Sequence, residues 1–158
     1  MKARPRHAEN EVARIFTEIF ARAEHSPVER IPTTGRTGPD ISINEVGLVI
    51  DVKSRLEVPK GIFRDHPFTF DGYYAVPLSM FPTLEAVEQS TFASVIISHY
   101  FDHMHEWTML KRKTGITALV LHRPKMPYGK AMLIINYSNM EELCKRMNLL
   151  FLVHNCFS

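Results

Sequence analysis

A chain of 158 residues, 45% hydrophobic and 23% charged, has room for one globular core and too little for two. No apolar run reaches the roughly 18–20 residues of a membrane helix, so a spanning protein is excluded, and two late cysteines, Cys144 and Cys156, cannot make a disulfide framework. Nineteen basic against 17 acidic residues give a net +2 that by itself selects no partner, and the expected location is intracellular.

Residues 1–7 form a basic arm in which Lys2, Arg4 and Arg6 meet no acid, as suits a surface that approaches phosphates. Residues 8–24 read as a helix, with Val12, Ile15, Phe16, Ile19, Phe20 and Ala23 on one apolar stripe. Glu9 lies roughly 50° from the centre of that stripe, at about 100° per residue, whereas Glu11 and Glu18 lie more than about 100° away. Glu9 is therefore the helix carboxylate aimed at the rest of the fold. Pro27 closes the segment, residues 28–32 suit a short strand, and a loop follows from Thr33 to Gly38.

Two strands come next. Ile41 and Ile43 alternate with polar neighbours, Leu48–Lys53 is a second run, and Asn44-Glu45-Val46-Gly47 serves as the turn between them. Residues 56–82 hold four of the ten prolines and several aromatics, show neither period, and read as a long ordered loop or insertion with room for short strands. The insertion extends to about residue 100. Residues 83–114 read as mostly helical, ended by Gly115. Ile116–His122 and Ala131–Tyr137 read as a strand pair joined by a basic, proline-containing loop. Ser138 with Glu141 has the spacing of a capping box opening a last helix, and Leu149–Val153 is a short apolar tail suited to an edge strand. The fold class is α/β.

Chemistry concentrates at Gly38-Pro39-Asp40 and Asp51-Val52-Lys53-Ser54-Arg55. Residues two apart on a strand share a face, so Asp51 and Lys53 point one way and Ile50 and Val52 the other, into the core. If the two strands pair as a hairpin, Asp40 falls opposite Asp51. Two close carboxylates repel and call for a cation, and hard oxygen donors suit Mg²⁺ or Mn²⁺ better than zinc. The bland alternatives are a solvated edge-strand pair for Asp51 and Lys53, a turn residue for Asp40, and a first-turn anion for Glu9.

Glu9, Gly38-Pro39-Asp40 and Asp51-Val52-Lys53 together resemble the PD-(D/E)xK signature of the restriction-endonuclease-like superfamily. His7-Ala8-Glu9-Asn10-Glu11-Val12 and the Gly-containing loop before Asp40 most resemble archaeal-type Holliday junction resolvases. The resemblance implies a central mixed β-sheet flanked by helices and a metal-dependent endonuclease that makes paired nicks in branched or four-way-junction DNA. It implies Asp40, Asp51 and the Val52 carbonyl as metal ligands, helped by Glu9, with Lys53 positioning or deprotonating the attacking water. Mg²⁺ is the implied cofactor, with Mn²⁺ as substitute. The two-fold symmetry of a junction implies a homodimer, for which the apolar helix near residues 92–107 is one surface. Thr33, Thr34, Arg36, Arg55 and Lys60 are placed in sequence to meet backbone phosphates. So are Lys111, Arg112 and Lys113, within a stretch from Trp107 to Met140 that holds no acid.

Alternatives stay open: a restriction-type or flap/single-strand nuclease of the same fold, a non-catalytic DNA-binding module, or a scaffold. His99, His103 and His105 lack the further ligand that a tetrahedral zinc set needs.

Overall fold

The apolar stripe of the first segment folds as α1, Pro5–Arg22, in a computed structural model that describes residues 5–22, 29–30, 41–43, 47–81, 88–90 and 116–147. The helix starts three residues earlier than its apolar period suggests, because Pro5 has the fixed φ of a first helical position and lacks the amide that position leaves unused. Part of the basic arm is thus the first turn of α1. The remaining elements are β1 (Glu29–Arg30), β2 (Ile41–Ile43), β3 (Leu48–Ser54), β4 (Phe68–Phe70), β5 (Tyr73–Pro77), β6 (Glu88–Gln89), β7 (Ile116–His122), β8 (Met132–Asn136) and α2 (Tyr137–Met147).

The strands form one mixed eight-stranded sheet in the order β1-β2-β3-β7-β8-β5-β4-β6. β2 and β3 make the expected hairpin, with Ile41 opposite Ile50 and Ile43 opposite Leu48. β3 then pairs in parallel with β7 over its whole length, from Leu48–Ile116 to Ser54–His122. Gly47, at φ 70, turns its carbonyl to the amide of Ile116 at 2.7 Å and so starts that ladder.

The stretch read as an irregular insertion contains β4 and β5, and β5 pairs with β8 inside the main sheet. The connection between them is Asp71-Gly72, both at positive φ, the two-residue turn whose twist matches a hairpin. No alternation betrays these strands, because β4 is buried on both faces, Thr69 included. Glu88–Gln89, expected to be helical, instead pairs in parallel with Phe68 and Thr69. The rest of the expected 83–114 helix and the 149–153 tail lie outside the described residues.

Both described helices cover the same face. Ala8, Val12, Phe16 and Ile19 of α1, with Met140, Leu143, Cys144 and Met147 of α2, share a core with Leu48, Ile50, Val52, Ala118 and Val120. The other face carries Leu119, Leu121, Met132 and Ile134, packed with Phe68, Phe70, Val58 and Ile62. α2 is capped one element earlier than the Ser138–Glu141 spacing suggests. Asn136 Oδ1 accepts the Asn139 amide at 2.8 Å, and Ser138 Oγ donates to that same oxygen at 3.0 Å. Asn136 is therefore the cap, and Ser138 already lies within the helix.

Candidate functional site at the carboxyl ends of β3 and β7

Parallel neighbours end on the same side, and the loops leaving them frame a crevice there. The carboxyl ends of β3 and β7, the first turns of α1 and the 124–128 turn enclose a groove of about 730 Å³. His7, Val52, Lys53, Ser54, Arg55 and Lys125 are among its lining residues. The lysines and Arg55 are countered in the lining by the single acid Glu57, whose carboxylate is 4.0 Å from Arg55. Lys125, at φ 74, is a non-glycine residue held in the left-handed region at the rim.

Four polar side chains are buried among the described residues: Glu9, Asp51, Thr69 and His122. Three of them lie toward this end of the sheet but on different faces: Glu9 on α1 and His122 on β7 belong to the helix-covered side, and Asp51 to the opposite face of β3. Asp51 is 4% exposed and its Oδ2 lies 3.1 Å from Lys53 Nζ, on the face opposite α1. Its other oxygen is shielded from solvent. Same-face placement of Asp51 and Lys53 is the spacing-two geometry of a strand. Ile50 and Val52 point into the helix-covered core. Glu9 is 6% exposed on α1, next to Ala8, which lines the groove. Described β2 ends opposite Ile50, so from Asp51 onward β3 is flanked by β7 alone among the described residues.

On the helix-covered face the ladder sets Ser54 opposite His122. His122 Nδ1 is 2.7 Å from Ser54 Oγ, and Nε2 is 2.7 Å from the Met126 carbonyl. A carbonyl only accepts, so Nε2 carries a proton. Burial is the main cause that lowers the His122 pKa, with a smaller contribution from His7, so the neutral ring is favoured. A neutral ring protonated at Nε2 accepts at Nδ1, and Ser54 donates. Tyr128 stacks on this ring at 4.0 Å and 7°, and His7 meets Tyr128 edge-on at 5.7 Å. Burial, followed by the charge of Glu11, raises the Tyr128 pKa.

The turn after β3 is clamped. The Arg55 amide donates to the His122 carbonyl at 2.9 Å, and Arg123 Nη1 donates to the carbonyls of Leu56 and, at 2.7 Å, Val58. These contacts fix Arg55 and Leu56 at the rim.

Of the residues singled out in the sequence, Lys53, Val52 and Arg55 line the groove, and Glu9 and Asp51 are buried beside it. Lys60 is exposed on the short turn Lys60–Ile62 and does not line it. Asp40, Arg4, Thr33, Thr34, Arg36, Lys111, Arg112 and Lys113 lie outside the described residues, as do the Arg6 side chain, His99, His103, His105 and the 92–107 segment. Sequence reasoning assigned no site role to Ser54, His122, Tyr128 or His7, and reached Lys125 only as one cation of the acid-free stretch from Trp107 to Met140. The available signal was a histidine closing the apolar run Ala118–Leu121.

In donor chemistry the buried carboxylates Glu9 and Asp51 are oxygen donors of the kind a hard divalent cation takes. Among the described residues no three His, Cys, Asp or Glu side chains gather into a set that could hold one. Also among the described residues, no helix is long and apolar enough to cross a membrane.

Fold and site define an α/β protein with a cation-rich groove at the carboxyl ends of two parallel strands. No family model matches the chain, and neither a curated protein nor a solved structure matches it.

Proposed function

We infer that the protein is a metal-dependent DNA endonuclease of restriction-endonuclease-like architecture, acting on branched DNA in the manner of a Holliday junction resolvase. The observation that carries the reading is the buried Asp51 paired with the half-buried Lys53 on one face at the end of β3, beside a groove lined by Lys53, Arg55 and Lys125. The antiparallel pairing of β2 with β3 adds to it, because it sets the strand that follows Asp40 in sequence alongside the strand that carries Asp51. A carboxylate buried against a half-buried ammonium contributes little net stability, so its retention beside an open groove favours a chemical use.

In this reading Asp51, Asp40 and the Val52 carbonyl would hold Mg²⁺ or Mn²⁺, with Glu9 assisting from α1. Such an ion, when bound there, would acidify a water and offset charge on the phosphate. Lys53 donates hydrogen bonds to the scissile phosphate and steadies the attacking water. Arg55 and Lys125 hold flanking phosphates, and the first turn of α1 adds its positive dipole end at the groove. A homodimer would present two such sites to the two-fold axis of a junction.

The test uses the wild-type chain on a labelled four-way junction, a flap, a nicked duplex and a linear duplex of equal length, with Mg²⁺ or EDTA. Symmetric, Mg²⁺-dependent nicking of the junction is expected. Equal cutting of all substrates would keep the nuclease and discard junction preference. Salt-sensitive binding without cutting in Mg²⁺ or Mn²⁺ would replace the reading with a binding module.

A further inference from the structure

The Ser54–His122 pair is not used by the reading above, yet Ser54 lines the same groove and His122 is buried behind it. His122 is 1% exposed, and an imidazole in a core is tolerated when both nitrogens are engaged, as they are here. The Met126 carbonyl fixes the proton on Nε2, which leaves Nδ1 as an acceptor. The one hydroxyl proton of Ser54 is directed to Nδ1, and two lone pairs remain on Oγ. Ser54 is a lining residue of the groove, half-buried at the end of β3. Toward the groove it is therefore an acceptor.

That polarity decides what Ser54 can serve. A phosphodiester carries no proton and offers only acceptor oxygens, so an acceptor-only hydroxyl cannot hold it. The cations Lys53, Arg55 and Lys125 perform that task. The donor that a hydrolytic site must contain is water.

We propose that Ser54 is a water-positioning residue, its hydroxyl aligned by His122 so that Oγ accepts one hydrogen bond from the attacking water. Ser54 takes no proton and forms no bond to phosphorus; it fixes the orientation of the nucleophile. His122 acts through Ser54, and Tyr128, stacked on the ring, holds the imidazole in plane. The inference rests on the hydrolytic reading, and it adds a residue from the opposite face of β3 to the Asp51–Lys53 pair. It also explains why the strand ends in a polar residue on its core face, where Ile50 and Val52 precede it.

The test has one arm in the free protein and one in the reaction. In the free protein, ¹⁵N-detected NMR of the His122 ring should show a protonated Nε2 and an unprotonated, hydrogen-bonded Nδ1, and Ser54→Ala should shift Nδ1 alone. A proton on Nδ1 at neutral pH would overturn the proposal. In the reaction, Ser54→Ala should lower kcat about tenfold with KM unchanged, the size of one lost hydrogen bond. Ser54→Thr, which keeps the hydroxyl, should restore it. His122→Gln keeps the donor to Met126 and removes the acceptor, and should match Ser54→Ala. His122→Asn sets an amide oxygen near the Nδ1 position and should restore the rate. The double variant Ser54→Ala with His122→Gln should be no slower than either single one.

If Ser54→Ala cuts at the wild-type rate while Asp51→Asn does not cut, the inference fails and the nuclease survives. A wild type that cuts no DNA in Mg²⁺ or Mn²⁺ sinks both. The Ser54→Ala and Ser54→Thr pair decides the matter even where His122 variants do not fold.

Discussion

The two halves of the β3–β7 strand pair differ sharply. At the start, Leu48, Val49 and Ile50 face Ile116, Thr117 and Ala118, and five of these six residues are buried hydrophobics. At the end, Asp51, Lys53 and Ser54 on β3 and His122 on β7 put four polar side chains into four consecutive ladder positions. The same backbone ladder runs through both halves, so secondary structure does not explain the change. The first half stabilises by burial. The second half holds buried charge and imidazole, which costs desolvation and is tolerated only with partners: Lys53 for Asp51, Ser54 and the Met126 carbonyl for His122. The fold thus confines its costly polar groups to one end of the strand pair, beside the groove.

Mutations break this comparison in order of size. Ile50→Ala, at a fully buried position, should cost about 2–5 kcal/mol in urea unfolding, through lost burial and the cavity left behind. His122 makes stability pH-dependent. Its folded pKa is lowered from 6.5, so the unfolded chain binds the proton more readily. Stability is full above 6.5 and is lost as pH falls toward the lower folded value. The thermal midpoint should therefore drop on acidification below 6.5, and His122→Gln should flatten that slope relative to wild type. Asn136→Ala removes the cap of α2 and should cost about 1 kcal/mol without affecting the groove. Lys60→Ala, exposed and away from the groove, should shift stability by less than about 0.5 kcal/mol. It should also leave the affinity for junction DNA unchanged.

The far edge of the sheet sharpens the same contrast. Arg64 donates to Glu88 and to Ser90 Oγ, and lies 4.3 Å from the centre of the Phe68 ring. Hydrogen bonds from His66 and Arg64 hold the Glu88 carboxyl below its usual range. That cluster ties β6 to the segment before β4 and is spent on structure. Cys144, whose thiol is pushed up to about 11 chiefly by burial, is likewise a core residue and no nucleophile.

Local signals carried much of this into the sequence. The alternation of Ile41 and Ile43 and the run from Leu48 specify the hairpin and its register, because a one-residue slip would expose Ile41, Ile43, Leu48 and Ile50 together. The spacing of Asp51 and Lys53 specifies a shared face by strand geometry alone. The β4–β5 hairpin hid behind its own burial: strands covered on both faces do not alternate, and Asp71-Gly72 was the remaining mark. The Ser54–His122 contact bridges 68 positions and depends on a parallel register that no local pattern sets. Asn136 outcompetes Ser138 as cap because it sits one position before the helix, where a short side chain reaches the third amide.

The most direct test of a chemical second half is Asp51→Asn, measured for cutting of a four-way junction in Mg²⁺ and for thermal stability. The substitution keeps the shape and removes a buried charge whose partner Lys53 is more exposed than Asp51 itself. The account predicts at least a ~10²-fold loss of rate with stability equal to or above wild type, as for a group retained for function at the expense of the fold. Unchanged cutting, or a large loss of stability with cutting retained by the folded fraction, would contradict it.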